Sequence, residues 1–236
     1  MTGTPPAPVD RDARSLAYDA LGERFDEVMN RYDLERRIEL VLARTPDGAA
    51  EALEVGCGLG YLSARLRARG VRLVSLDIAA SLLRTGLARG RLAAPVRADA
   101  LRLPFPDRRF ALVVSSDCIE HTPSPRDAVR EMVRVLRPGG RLVLTCPNAA
   151  WHWSVRVADR LGIRPYQGFE NWPGFSELRR WLDEEGLRTE EHAGFHALPF
   201  QLPAAPRWLP ALDRLVLSRL PGIGINQLAV ARKPGG

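Results

Sequence analysis

The chain has 236 residues, a formal net charge of +6, 45% hydrophobic and 26% charged residues, and three cysteines, a profile that suits one globular domain with additions. No apolar run reaches the roughly 18 residues a membrane-spanning helix needs, the opening MTGTPPAPVDRDAR lacks the apolar centre of a signal peptide, and Cys57, Cys118 and Cys146 form no CxxC pair. A reducing, cytoplasmic setting is therefore expected, with neither a disulfide framework nor a transmembrane segment. The positive charge comes from arginines scattered along the chain, with Lys233 the only lysine; this is a compositional bias rather than a binding face, so no nucleic-acid partner is expected.

After a Pro-rich start to Asp10, Leu16, Leu21, Phe25, Met29, Tyr32, Ile38 and Val41 recur at helical intervals and predict one or two N-terminal helices. From residue 51 a regular alternation begins. The apolar run EALEV is followed by a helix over 61–69 closed by Gly70, the run VRLVSL, and a helix starting at Ser81. Next come PVRA, the turn-rich LRLPFPDRR, the run FALVVSS, a helix over 125–136 capped by Ser124 and ended by PGG, and the run RLVLTC. Beyond Cys146 the pattern changes to the Trp-rich AAWHWSVRV, a helix over 176–185, a strand LRTEEHAGF, a Pro-broken apolar stretch and a last strand INQLAVAR. Short, continuously apolar strands separated by helices predict a doubly wound α/β core whose strands are buried on both faces.

The first strand runs into Glu54-Val55-Gly56-Cys57-Gly58-Leu59-Gly60 and then a helix, the setting in which glycines let backbone approach a ligand at the carboxyl end of a sheet. Asp77 ends the second strand about twenty residues later, where a carboxylate can accept both hydroxyls of a ribose. NAD and S-adenosylmethionine both carry that ribose. The spacing G-x-G-x-G and the Glu54 carboxylate at the mouth of the loop separate them. A pyrophosphate about 4 Å from Glu54 would be repelled by about 4 kcal/mol per charge pair, whereas an ammonium or sulfonium would be attracted. Asp99, followed by Ala100 and Leu101, ends the third strand and can accept an adenine amino group while the next backbone amide meets a ring nitrogen.

EVGCGLG, LDI, ADALRLPF, FALVVSSDCIEH and LRPGGRLVLTCPN together resemble the ordered motifs of class I S-adenosylmethionine-dependent methyltransferases, and over residues 50–148 are most similar to the ubiquinone-biosynthesis O-methyltransferase type. The resemblance implies a Rossmann-like seven-stranded sheet with its last strand antiparallel, N-terminal helices and a helical lid insertion. By motif it also implies cofactor contacts at Glu54, Gly56, Gly58, Gly60, Asp77, Ile78, Asp99, Ala100, Leu101 and Ser116. Ala111 departs from the pattern, where an acidic residue usually follows the Phe. Similar enzymes also place a basic residue of the N-terminal helices against the cofactor carboxylate, which makes Arg36 and Arg37 candidates, with a solvated helix face expected for at least one of them. Tyr18 and Tyr32 would cover the cofactor or simply pack. The expected divisions are an N-terminal tail and helices over 1–48, the cofactor-binding core over 49–148, and substrate-recognition segments with the final strands over 149–236.

Methyl transfer needs a base only when the nucleophile holds a proton. His121, on the carboxyl side after the fourth strand, is the candidate base; the alternative is that Glu120 and His121 fix the loop and close the pocket. Trp151, His152, Trp153 and Trp172 are candidate acceptor contacts, with His152 also a second candidate base and core packing the alternative for the tryptophans. The segments 149–173 and 195–225 are expected to pack together over the strand ends, and Leu212, Leu215, Val216 and Leu220 to form an amphipathic helix that serves as a lid, or as a dimer or membrane-surface contact. His192 and His196 are four residues apart but lie in a strand-like pattern with Gly194, so no metal site is expected. Cys57 and Cys118 are expected to pack rather than react. The reading is a methyltransferase acting on an oxygen of a small, moderately apolar acceptor in natural-product or quinone-like biosynthesis. An N-methyltransferase of an amino sugar or other small amine, and a non-methylating cofactor-binding protein of the same fold, are the alternatives; a homodimer is left open.

Overall fold

The apolar runs predicted as strands become the middle of one seven-stranded sheet. The computed structural model describes residues 29–48, 51–160, 162, 170–197 and 215–235. β1 (Ala52–Val55) lies between β2 (Leu73–Asp77) and β4 (Phe110–Ser116), with β3 (Val96–Arg97) beyond β2 and β5 (Leu136–Pro147) beyond β4. β6 (Arg188–Phe195) and β7 (Asn226–Arg232) complete the order β3-β2-β1-β4-β5-β7-β6. β1 to β5 pair in parallel, and β7 is antiparallel to both its neighbours, as the family resemblance implies.

Among the described residues the helices include α1 (Arg31–Leu42), α2 (Tyr61–Ala68), α3 (Ala80–Ala88), α4 (Pro125–Val135), α5 (His152–Arg160) and α6 (Phe175–Glu184). Successive strand side chains point to opposite faces, and both faces are covered, which is why the runs are apolar without alternation. On one face Leu53, Val55, Val113, Leu142 and Leu144 pack with Val129 and Met132 of α4 and Leu178 and Leu182 of α6. On the other, Ala52, Leu112, Val114 and Val143 pack with Ile38 and Val41 of α1 and Leu62 and Leu66 of α2.

Local chemistry sets the helix ends. Ser124 accepts from the Asp127 N–H and Pro125 opens α4, satisfying a donor that the helix cannot satisfy itself. α4 stops at Val135 and β5 begins at once, so PGG is not needed as a helix terminator. Leu136 pairs with Phe110 and pairing resumes with Arg141 opposite Leu112, so residues 137–140 stand out of the ladder. There Gly139 adopts φ +73° and its N–H donates to the Lys233 carbonyl at 2.9 Å.

The start of segment 149–173 and the end of segment 195–225 meet beyond β5. Ala149 N–H donates to Pro173 O at 3.1 Å, Asn148 Nδ2 to the carbonyls of Gly222 and Gly224 at 2.8 and 3.0 Å, and Trp151 Nε1 to Ile223 O at 2.8 Å. The N-terminal tail with Leu16, Tyr18, Leu21 and Phe25, and residues 198–214 of the expected lid with Leu212, lie outside the described residues, while 215–217 are helical with Leu215 and Leu220 each 56% exposed. No helix among the described residues is long and apolar enough to cross a membrane.

Candidate functional site

Strand order reverses between β1 and β4, and such a switch point opens a crevice at the carboxyl ends of parallel strands. A cavity sits there. It is lined by Gly56 and Gly58 after β1, Leu76, Asp77 and Ile78 of β2 and its end, Leu82 of α3, Ala98, Asp99 and Ala100 after β3, and Asp117, Cys118, His121 and Thr122 after β4. Four strand ends, distant in sequence, therefore converge on one site.

The glycine turn is shaped by its neighbours. Gly56 has φ +79°, and a Cβ there would lie 2.4 Å from Cys118 Cβ and Sγ, so only glycine fits. Gly58, at φ +50°, would carry a Cβ with nothing within 4 Å, which leaves its backbone open to a ligand. Its N–H donates to Asp77 Oδ2 at 2.8 Å, and Ala79 N–H donates to Asp77 Oδ1 at 2.9 Å. Asp99 Oδ1 accepts from Leu101 N–H at 3.0 Å. The cavity's charged lining is three carboxylates, those of Asp77, Asp99 and Asp117, with no lysine or arginine among its lining residues. That acceptor set fits a cofactor carrying ribose hydroxyls, an adenine amine, an ammonium and a sulfonium.

Glu54 does not stand at the mouth of the loop. Its side chain points to the face covered by α2, is 2% exposed, and accepts from Ser63 Oγ and, at 3.3 Å, Ser75 Oγ. Burial pushes its carboxyl up to about 7, against the pull of the two serines. Glu54 therefore puts no charge into the cavity to select against a pyrophosphate; the glycine spacing is left as the feature that separates the two cofactors. Gly60 is a packing position, where a Cβ would meet Leu92 at 2.6 Å. Ser116 Oγ lies 3.1 Å from Thr145 Oγ1, and Leu101 packs against the main core. None of these four lines the cavity.

The turn after β4 carries the densest chemistry. His121 lies in a short 3-10 turn (Ile119–His121), is 26% exposed, and its Nε2 is 3.8 Å from Glu120 Oε1. Glu120 is 1% exposed; burial, then Asp117, push its carboxyl well above the usual range. Asp117 adopts φ +48°, and burial pushes its carboxyl up to about 6 despite the Arg37 guanidinium 3.1 Å away. Sequence reasoning passed over Asp117, although the signal that found Asp77, an aspartate closing an apolar strand, was present. Arg37 is buried between Asp33 and Asp117, while Arg36 stays near the surface with Glu39.

Asn171 ties this turn to the segment beyond β5, its N–H donating to Glu120 O at 2.9 Å and its Nδ2 to Thr122 O at 2.8 Å. Next to Asn171 a groove is lined by Ala149, His152, Trp153, Arg156, Glu170 and Trp172. His152 meets Trp172 edge-on at 5.4 Å, Trp172 Nε1 donates to Glu170, and Trp153 is 57% exposed. Trp151 stacks on Trp153 at 5.8 Å but lies outside the groove's lining. The two remaining histidines have different surroundings: His192 stacks flat on Phe175 at 3.7 Å, and His196 is buried against Asp33 at 3.1 Å. Among the described residues no cluster of His, Cys, Asp and Glu could hold a metal ion.

Residues 53–144 match the family model described as a methyltransferase domain. The ubiquinone biosynthesis O-methyltransferase of Xanthomonas axonopodis pv. citri is 29% identical over 176 residues, covering 70% of this chain and 74% of that one. The malonyl-(acyl-carrier protein) O-methyltransferase of Enterobacter lignolyticus is 34% identical over 140 residues, covering 58% and 55%. The fold is that of a solved S-adenosylmethionine-dependent methyltransferase from Mesorhizobium loti, with a TM-score of 0.63 at 20% identity over 83% of this chain and 96% of that one. With a methyltransferase domain matched over residues 53–144, a matching sheet and a cavity suited to a sulfonium nucleoside, the chain is an S-adenosylmethionine-dependent methyltransferase with S-adenosylmethionine as its cofactor.

Proposed function

We propose that the enzyme methylates an oxygen of a small, moderately apolar acceptor, in cytoplasmic natural-product or quinone-like biosynthesis. The bound cofactor supplies a methyl group activated on a sulfonium. Gly56, Gly58, Asp77, Ile78, Asp99 and Ala100 hold that cofactor, and the aromatic groove of His152, Trp153 and Trp172 takes the acceptor. The observation that carries the reading is His121: its imidazole lines the cofactor cavity on the side tied by Asn171 to the aromatic groove, where a base can take the proton of an acceptor hydroxyl. Both curated relatives are named O-methyltransferases, and the free thiols of Cys57, Cys118 and Cys146 suit a reducing compartment.

A second reading, N-methylation of a small amine, is favoured by one feature. Glu170, which accepts from Trp172 Nε1, puts an acidic side chain into the wall of the aromatic groove, where an ammonium can approach it. Incubation with S-adenosylmethionine and matched phenols, carboxylic acids and amines, read by mass spectrometry, separates the two. Methyl ethers or esters are expected; methylamines as the sole products would overturn the oxygen reading.

A further inference from the structure

Arg37 belongs to the N-terminal helix α1, yet its guanidinium is buried at the carboxyl edge of the sheet, with its side chain 12% exposed. Its Nε lies 2.8 Å from Asp33 Oδ2 and its Nη1 3.1 Å from Asp117 Oδ2. Asp33 is anchored in turn: Asn226 Nδ2 donates to its Oδ1 at 2.9 Å, and His196 Nε2 lies 3.1 Å from the same oxygen. Arg37 is thus fixed by β7 and by the residue after β6, and is absent from the cavity's lining.

Asp117 is the far end of this chain and does line the cavity. It holds a left-handed backbone, a conformation that persists in a non-glycine residue only when its surroundings enforce it. Thr145 supplies one restraint, its carbonyl accepting from the Asp117 N–H at 3.0 Å and its Oγ1 donating to Asp117 Oδ1 at 3.1 Å. Arg37 supplies the other. The next residue, Cys118, packs so closely on Gly56 that no side chain could stand there. The contacts therefore run without interruption from α1 through Arg37, Asp117 and Cys118 to the glycine turn.

We infer that Arg37 is a positioning residue of the cofactor site: through Asp117 it holds the turn after β4 against the glycine turn, so that docking of the N-terminal helix and completion of the site are one event. The inference rests on this cavity being the cofactor site. It differs from a direct contact between Arg37 and the cofactor carboxylate, because the whole effect of Arg37 passes through Asp117.

The groups facing Asp117 are Arg37 and Asp33 from α1, Thr145 from β5, His196 after β6 and Glu120 in its own turn. Burial and Asp33 push the Asp117 carboxyl up while Arg37 and Thr145 pull it down, leaving it at about 6. Removing the guanidinium raises it further, so the acidic limb of cofactor affinity moves toward neutral pH.

The test is calorimetric titration of the full chain with S-adenosylhomocysteine from pH 5 to 8.5, alongside thermal melting, for wild type, Arg37→Gln, Arg37→Lys, Asp117→Asn and the pairs of each Arg37 variant with Asp117→Asn. Arg37→Gln is expected to weaken binding about tenfold or more at pH 7 and to move the acidic limb up by about one pH unit. Arg37→Lys keeps the charge without the forked geometry; it should restore the limb but not the full affinity. In the Asp117→Asn background neither change at Arg37 should weaken binding further. Additive losses, or an Arg37→Gln protein with wild-type affinity and pH profile, would overturn the inference. If Arg37→Gln does not fold, the Arg37→Lys and Asp117→Asn pair decides the same question by the same criterion of additivity. An Asp77→Ala control that binds normally would instead overturn the assignment of the cavity.

Discussion

The Gly58 N–H donates to Asp77 Oδ2 at 2.8 Å, so the turn after β1 and the end of β2 form one unit, although 19 residues separate them. Asp77 both shapes the glycine turn and presents a carboxylate to the cavity. Those two jobs have different energetic signatures.

Asp77→Ala should weaken S-adenosylhomocysteine binding by about tenfold or more, because a charge-assisted hydrogen bond contributes about 1.5–3 kcal/mol. It should also lower stability by about 1–3 kcal/mol, since the N–H groups of Gly58 and Ala79 lose their acceptor. Calorimetry measures the first and denaturant unfolding the second. Unchanged affinity would remove Asp77 from the cofactor's contacts.

For His121→Ala, kcat should fall about a hundredfold at neutral pH and recover in part under alkaline conditions, where a hydroxylic acceptor ionises unaided. Cofactor affinity should change by less than about threefold. A variant that loses S-adenosylhomocysteine binding but turns over normally at saturation would make His121 a pocket-closing residue.

The tryptophans should divide by their contacts. Trp153→Ala and Trp172→Ala remove groove walls and should raise the acceptor KM several-fold with cofactor affinity preserved. Trp151→Ala breaks the hydrogen bond to the Ile223 carbonyl and should chiefly lower the melting temperature. Acceptor kinetics unaffected by the first two substitutions would place the acceptor elsewhere.

Glu54 gives a pH prediction. Its carboxyl is raised from an ordinary 4.5 to about 7 in the folded protein, so between those values the folded state holds a proton that the unfolded state has released. Glu54 therefore costs nothing below about pH 4.5, and its cost grows until pH rises past 7. Glu54→Gln, which can still accept from Ser63 or Ser75, should flatten this dependence and stabilise the protein at pH 8 by about 3 kcal/mol at most. Unfolding curves at pH 5 and pH 8 measure it; an equal effect of the substitution at both values would contradict the buried, proton-holding glutamate.

The sheet was legible because its strands are buried on both faces, which writes them as uninterrupted apolar runs such as FALVVSS and RLVLTC. Asp77 and Asp99 were legible because an acidic residue closing such a run has few structural uses. Glu54 misled for a physical reason: sequence places a residue along a strand but not on a face, and Glu54 faces α2 while the cavity lies beyond the strand's end. The network of Asp33, Arg37, Asp117, His196 and Asn226 joins residues as many as 193 positions apart, and no local spacing announces such a meeting. Arg36 and Arg37 were both candidates, and adjacent positions on a helix gave no means of telling which turns inward and which stays at the surface.

The position of β7 bears on how the chain reaches this state. β7 is the last strand in sequence but sits inside the sheet, between β5 and β6. Until residues 226–232 have emerged from the ribosome, β5 and β6 are open edges with unpaired backbone groups, and the anchor that Asn226 provides for Asp33 is missing. Such edges invite pairing with other chains. Translation arrested before Asn226 would thus leave a nascent chain with most of its parallel sheet but a sticky flank, so chaperone demand should peak between the emergence of β6 and that of β7.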